Sequence, residues 1–486
     1  MSEININGRH TDARIFTDEV DETCIEQVQE LVNHEAFQNP VRIMPDAHAG
    51  AGAVIGFTME LGERICPNTV GVDIGCGMTA LRLGRPDELE IRLGDDGLMR
   101  DLDESIRAHV PMGRNTFADT HIEQQYHIVN DFPWEACEQK LQSLNDNWNG
   151  EPIESPDYGK EYFLDLCERV GYDVNRAINS IGTLGGGNHF VEISRSDETG
   201  DYWVVVHSGS RGIGLSVAEY WQEQAHQAQD DRADTVRDML SGLPDGAYKF
   251  DVQDVSDREL LNWVQGGMGE DWKDTSWVRL NYEGEEIGRL INEMKDVSSY
   301  LRENAGGDDL DFLEGEDRHG YLRDMIFAQT YAAESRLQMV DSVAHVLGVR
   351  QWDPEDLIVS THNYIDFDDL TIRKGATRVH QGERGVIPFN MRDGAIIVRG
   401  EGNDEWNRSA PHGAGRRGSR RWAFRQFDLA EFSQEMDGIF STSVTGDTID
   451  EAPMAYKSRD VILERIEETA SVEETLTPVH NLKAEE

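Results

Sequence analysis

The stretch GVDIGCGM, Gly71 to Met78, sets a carboxylate and a thiol three positions apart in a glycine-rich turn, at Asp73 and Cys76. A pair on so short a leash can hold one cation, or bridge two, if the backbone folds tightly. Gly71, Gly75 and Gly77 supply that freedom, because glycine adopts positive φ without steric cost. The flanking runs, Ala53 to Phe57 and Thr79 to Leu83, read as strands, so the turn belongs at a strand end. Alone the pair is ordinary, since a buried cysteine beside a turn aspartate is commoner than a metal site. Partners stand elsewhere: His189, His207, His362 and His412 each lie beside glycine, asparagine or serine next to a β-rich run. The expectation is a fold that carries these segments onto Asp73 and Cys76.

Length and composition bound the rest. A chain of 486 residues could hold two or three domains, yet no internal repeat or low-complexity linker divides it. One catalytic body with insertions is as good a reading as several beads. No apolar run is long enough to cross a bilayer, and the opening MSEININGRHTDARIF lacks the basic and apolar regions of a signal peptide. Five scattered cysteines without a paired pattern fit a reduced, cytoplasmic setting. With 45 basic and 93 acidic residues the net charge is −48, which in dilute buffer would repel a polyanion. Only eight of the basic residues are lysine, and the acids are spread along the whole chain. That pattern suits a halophilic protein, since molar salt screens surface repulsion to within a few ångströms. An acidic protein with a cationic partner is the competing reading.

Along the chain, residues 1–40 read as a short strand and then a helix with Ile25, Val28, Leu31 and Val32 on one face. Asp46 and His48 read as a turn, where Asp46 either makes an Asx-turn or orients a metal ligand. Residues 85–180 read as acidic helices. In IGTLGGGNHFVEI, Ile181 to Ile193, three glycines can form an anion nest before Asn188, His189 and a strand carrying Glu192. WVVVHSGSRGIG delivers His207 from a buried strand into a turn with Ser208, Ser210 and Arg211, groups that suit a phosphate. Residues 215–320 read as acidic helices and loops, and 321–345 as an amphipathic packing helix. His362 and Asn363 stand at a strand end, and Arg373 to Thr377 reads as a compact basic turn. In SAPHGAGR, Ser409 to Arg416, the neighbours of His412 suggest an exposed, mobile side chain able to act as ligand or nucleophile. A helix from about Asp460 to Glu468 and a last strand ending at Lys483 close the chain.

PDAHAG, GVDIGCG, GTLGGGNHF, HSGSRG, THN, RKGAT and APHGAGR follow one another from Met44 onwards, and in this order they resemble the RtcB family of RNA ligases. The resemblance spans nearly the whole chain to Lys483. It implies an α/β (α+β) fold whose sheets enclose a central dinuclear metal site, one ligase domain over residues 1–486 with acidic insertions within 85–180 and 215–320. It implies an enzyme that uses GTP and two Mn²⁺ ions to join RNA 2′,3′-cyclic phosphate or 3′-phosphate ends to 5′-hydroxyl ends, in tRNA splicing or RNA repair. By position, Asp73, Cys76, His189, His207 and His362 would hold the metals, with Cys76 bridging, and Asp46 would lie beside them. His412 matches the nucleophile that forms a histidine–GMP phosphoramidate. Asn188, Glu192, Asn363, Tyr456 and Lys483 match positions that hold the guanine nucleotide. An archease-type activator is a further implied partner.

The sequence also departs from that pattern. Phe389-Asn390-Met391 stands where many members carry Gly-Ser-Met, Ala395 where they carry a serine, and Arg417-Gly418 where an apolar pair precedes Ser-Arg. Two rival readings remain. One is a metal-dependent RNA-end phosphoesterase or nucleotidyltransferase paralogue without ligation, of which the phosphoesterase would need neither His412 nor Lys483; the other, a non-catalytic RNA- or nucleotide-binding protein, would not need all five metal ligands.

Overall fold

Three sheets carry the strands of the computed structural model, which describes residues 3–86, 89, 96–118, 132–229, 232–250, 252, 255–265, 272–303 and 309–484. Parts of both expected insertions lie outside these residues. The first sheet runs in the order β1 (Ile4–Asn7), β2 (Asp12–Ile15), β3 (Val41–His48), β4 (Ile55–Glu60), β10 (Thr371–Lys374) and β9 (Asn363–Asp366). Its β2 and β3 are parallel and its other pairs antiparallel. The second sheet is antiparallel throughout, in the order β12 (Arg384–Asn390), β13 (Gly394–Gly400), β15 (Ala470–Lys483), β6 (Phe190–Ser196), β7 (Tyr202–Ser208), β5 (Gly77–Gly84) and β8 (Leu357–Thr361). A short pair, β11 (Ala376–Arg378) with β14 (Ser409–Pro411), makes the third. The mixed α/β architecture agrees with the expectation from sequence.

Register in the second sheet gathers the chemistry. Gly77 at the start of β5 faces Ser208 on one side and Thr361 on the other. Phe190 faces both His207 and Lys483. Five neighbouring strands therefore end on one edge of the sheet. In spatial order that edge carries Lys483, His189, His207, Cys76 and His362. From there the chain crosses at His362 into β9 of the first sheet, and β11–β14 pairing sets Ala376 opposite Pro411, next to His412.

Alternation along β7 anchors this edge to two cores. Val204 and Val206 pack with Leu102, Ile106, Met339 and Val343, while Trp203 and Val205 pack with Ile358, Ile397 and Leu476 on the other face. The expected packing helix spans Gly315–Val346, and it is not amphipathic at its middle: every residue from Asp324 to Ala332 is buried. A helix enclosed on all sides needs no polar face, and this one touches β7, β5 and the helix Trp134–Asn147.

Local differences have similar causes. The first helix, Glu22–Asn33, starts where Asp21 accepts from the Cys24 N–H, and it buries Cys24 with Val28, Leu31 and Val32, leaving Ile25 half-buried. Asp46 and His48 belong to β3, not a turn, and Arg373 to Thr377 spans the end of β10 and the start of β11. There Arg373 is fully buried, neutralised by Asp366 and Asp369.

The chain divides into two compact units, Met1–Gln222 with Leu313–Glu486, and Glu223–Phe312. The smaller is helical, with Val236, Leu240, Leu260, Val278 and Met294 in its own core. Among the described residues no helix is long and apolar enough to cross a membrane.

Candidate metal and nucleotide site

The Asp73–Cys76 turn is held from three directions. Gly75, at φ +70°, donates to the Asn363 carbonyl at 2.7 Å, and Ser210 N–H donates to the Ile74 carbonyl at 3.2 Å. The Cys76 carbonyl accepts from the His362 N–H at 2.9 Å. Beneath the turn lies Arg336, fully buried on the long helix, whose guanidinium donates to the carbonyls of Gly75 at 2.5 Å and Ser208 at 2.9 Å. One side chain thus ties the turn to the end of β7, which carries His207.

Two clusters of metal-ligand atoms meet at one thiol: Asp73, Cys76 and His189, and Cys76, His207 and His362. Cys76 Sγ stands 3.6 Å from His189 Nε2 and 3.2 Å from His207 Nε2, and the Nε2 atoms of His207 and His362 are 3.1 Å apart. His189 Nδ1–H donates to the Leu184 carbonyl at 3.0 Å, and His207 Nδ1–H to the Asn188 carbonyl at 3.2 Å. Those bonds turn the Nε2 lone pairs inward. As a result His189 Nε2 faces Asp73 Oδ2 at 2.9 Å, two acceptors that a cation between them would reconcile. Burial, and then the neighbouring imidazoles, hold His207 and His362 well below the ordinary histidine pKa, so both rings are neutral and could ligate a cation. Burial, and then Asp73, push the Cys76 thiol up, so a thiolate here needs a metal ion. One carboxylate, one thiolate and three imidazoles fit two divalent ions sharing the sulfur.

His412 stands beside this centre, its ring centroid 4.9 Å from that of His362. It is not the exposed, mobile side chain expected from its glycine-rich neighbours. Its Nδ1–H donates to Asp46 Oδ2 at 2.6 Å, and Asp46 is fully buried. Asp46 therefore orients His412 and not a metal ligand. Gly415, at φ +75°, lets the HGAGR loop close on this pair, since a Cβ there would lie 2.6 Å from the Asp46 carbonyl oxygen.

A cavity opens on the other side of His412. His207 lines it from the metal side, and Asn188, Glu192, Tyr456 and Lys483 line it further out. Lys483 Nζ pairs with Glu451 Oε2 at 2.6 Å and donates to the Asn188 carbonyl at 3.3 Å. Tyr456 donates to the same Glu451 oxygen at 2.7 Å, and Arg416 donates to Glu451 Oε1 at 3.0 Å. Burial alone would raise the Glu451 carboxyl, but Lys483 and then Arg416 bring it down to about 2. Glu192 is the opposite case: burial lifts its carboxyl to about 7, against hydrogen bonds from Ser194 at 2.6 Å and Asn481 at 2.8 Å. Asn363 lies outside the lining. Its Oδ1 accepts from Gly375 N–H at 2.9 Å and its Nδ2 donates to the Asp73 carbonyl at 3.4 Å, so it braces the metal turn.

Arg336, Glu451 and the partnership of Asp46 with His412 escaped sequence reasoning. Arg336 stands among Glu334, Ser335 and Gln338 and so has no local mark, and neither does Glu451 in so acidic a chain. The departures have local roles. Phe389 is buried against Ile387 and Ile396 and also lines the cavity. Asn390 closes the β12–β13 hairpin by accepting from the N–H groups of Arg392 and Asp393. Gly418 makes room for Trp422, whose Cδ2 lies 2.8 Å from where a Cβ would be.

The family described as tRNA-splicing ligase RtcB matches residues 27–251 and 287–484. The RNA-splicing ligase RtcB of Escherichia coli is 28% identical, covering 90% of this chain and 88% of that protein. The tRNA-splicing ligases RtcB of Thermococcus kodakarensis and Aeropyrum pernix are each 24% identical, covering 88% and 86% of this chain and 83% and 82% of theirs. With a family match over most of its length, the chain belongs to the RtcB family of tRNA-splicing ligases.

Proposed function

We propose that the chain is an RNA ligase that uses GTP and Mn²⁺ to join RNA 2′,3′-cyclic phosphate or 3′-phosphate ends to 5′-hydroxyl ends through a His412–GMP intermediate. The observation that carries this reading is the setting of His412 between Asp46 and the cavity, beside His362. With Nδ1–H committed to Asp46, the Nε2 lone pair is free to attack the α-phosphorus of GTP. A P–N bond forms as the bond to the bridging oxygen breaks, and pyrophosphate leaves. An oxygen of the RNA 3′-phosphate then attacks the same phosphorus and restores the imidazole. The 5′-hydroxyl displaces GMP from the activated end, losing its proton and leaving a phosphodiester. A cyclic phosphate is first opened by water. Ions held by Asp73, Cys76, His189, His207 and His362 would neutralise phosphate oxygens and polarise the phosphorus under attack.

In this reading Asn188, Glu192, Tyr456 and Lys483 hold the nucleotide, while Asn363 acts through the turn it braces. Residues 1–486 are one ligase domain in which the unit Glu223–Phe312 is an insertion, supported by the break in the family match between residues 251 and 287. A cytoplasmic, salt-rich setting and an archease-type activator complete the proposal. Incubation with α-labelled GTP and Mn²⁺ in concentrated potassium chloride tests it. An acid-labile, alkali-stable protein label that is lost in His412→Ala is the expected result. A label that persists in His412→Ala would overturn the nucleophile assignment, and a folded, Mn²⁺-binding protein that takes no label even with an archease-type activator would overturn the mechanism.

A further inference from the structure

From His412 to Phe427 the chain contains no acidic residue, although 93 of its 486 residues are acidic. The same stretch holds five arginines, at 416, 417, 420, 421 and 425. The first of them reaches Glu451, and Arg420 reaches Asp450 at 3.5 Å. Arg421 and Arg425 are exposed and form no salt bridge among the described residues. In a chain with two carboxylates for every cation, unpaired arginines side by side mark a surface kept open for another anion.

The local geometry aligns them. The helix Arg420–Gln426 is capped by Ser419, and Arg420 lines the cavity that also holds His412. At about 100° per residue, positions 420, 424, 421 and 425 fall in that order on one arc of about 140°. Ala423 points the other way and is buried. The arc thus runs from the cavity mouth outward across Phe424, which is 45% exposed, to Arg421 and Arg425. An exposed aromatic ring among guanidinium groups is what a single strand of nucleic acid meets well: the ring stacks on a base while the cations contact phosphates.

We propose that Arg421, Phe424 and Arg425 form a docking ridge for the single-stranded RNA segment next to the phosphate-bearing end that enters the cavity. The proposal rests on the RNA ligase reading above. The ridge locally reverses the sign of a strongly negative chain. Its aromatic member also keeps a contact at salt concentrations where counterion release gives little.

The test is fluorescence anisotropy of the full chain with a labelled, 3′-phosphate-terminated single-stranded RNA, with Mn²⁺ and without GTP, across a potassium chloride series. Arg421→Ala/Arg425→Ala is expected to weaken binding by about tenfold or more at the low-salt end and to flatten the salt slope by about 1.4, two phosphate contacts at roughly 0.7 each. Arg421→Lys/Arg425→Lys should keep the slope. Phe424→Ala should weaken binding about fivefold or more without changing the slope. Thermal melting checks that each variant is folded. Variants that bind like the wild type, in a wild type that binds and joins RNA, would overturn the ridge alone and leave an acidic protein as the partner to seek. A wild type that binds no RNA would overturn the ridge and the ligase reading together.

Discussion

Asp46→Asn isolates the group that holds His412, the proposed nucleophile. Asp46 is fully buried, its Oδ2 lies 2.6 Å from His412 Nδ1, and its Oδ1 has no hydrogen-bond partner among the described residues. Asparagine fills the same space and can meet the ring in two ways. With its oxygen toward His412 it keeps the tautomer but leaves a buried NH₂ group at the position of Oδ1, at a cost of about 1–3 kcal/mol on top of the lost charge assistance. With its NH₂ toward His412 it makes Nδ1 an acceptor and moves the ring proton to Nε2, which removes the attacking lone pair. An orphaned carbonyl is tolerated more often than an orphaned donor, so the second setting is favoured. Loss of the charge-assisted bond alone, about 1.5–3 kcal/mol, corresponds to roughly 10- to 150-fold in rate. A wrong tautomer in the Asp–His pair of serine proteases costs about 10⁴-fold. Rapid-quench measurement of protein labelling from α-labelled GTP should therefore show a fall of about 10²- to 10⁴-fold. Mn²⁺ binding should be unchanged, because Asp46 belongs to neither metal cluster. Labelling within threefold of wild type would refute the orienting role.

Cys76→Ala removes the one ligand shared by both clusters, so bound Mn²⁺ measured by titration should fall from two ions to one or none; two ions at unchanged affinity would contradict a bridging thiolate. Arg336→Met leaves the buried carbonyls of Gly75 and Ser208 without their donor, and at about 1–3 kcal/mol each the loss of stability should be about 2–6 kcal/mol in denaturant melts. A loss under about 1 kcal/mol would mean that the turn does not depend on it. Glu192 carries a carboxyl raised from 4.5 to about 7, so its contribution to stability is fully present below pH 4.5 and is lost as pH rises through 7. That rise corresponds to roughly 3 kcal/mol, and Glu192→Gln should remove about that much of the stability difference between pH 4.5 and 8. A pH profile identical to wild type would place the titration elsewhere.

What the sequence revealed and what it hid differ in range. Asp73, Cys76, His189, His207 and His362 carry local marks, polar residues where apolar runs stop, and such marks survive without knowledge of the fold. Their convergence does not, because it depends on pairing between strands far apart in sequence, such as Gly77 with Thr361. The partnership of Asp46 with His412 spans 366 residues and could not be read locally. Glu451 is hidden for another reason: in a chain with 93 acidic residues, one more carboxylate carries no information until its burial against Lys483 is known.

Gly77 shows how a correct residue can be read for the wrong reason. Its sequence neighbours suggest a glycine chosen for backbone freedom, and Gly71 and Gly75 do adopt positive φ, at +91° and +70°. Gly77 does not; it is the first residue of β5. A Cβ there would lie 2.6 Å from Thr361 Cα and 2.8 Å from the Ser360 carbonyl oxygen. The missing side chain therefore sets the spacing between β5 and β8, the two strand ends that bring Cys76 and His362 to one site. A sheet tolerates no half-measures in this respect, since a slip of one residue turns every side chain to the opposite face. The glycine-rich turn thus combines two separate devices: positive φ at Gly71 and Gly75 shapes the loop that carries Asp73, and bare backbone at Gly77 lets β8 deliver the last imidazole.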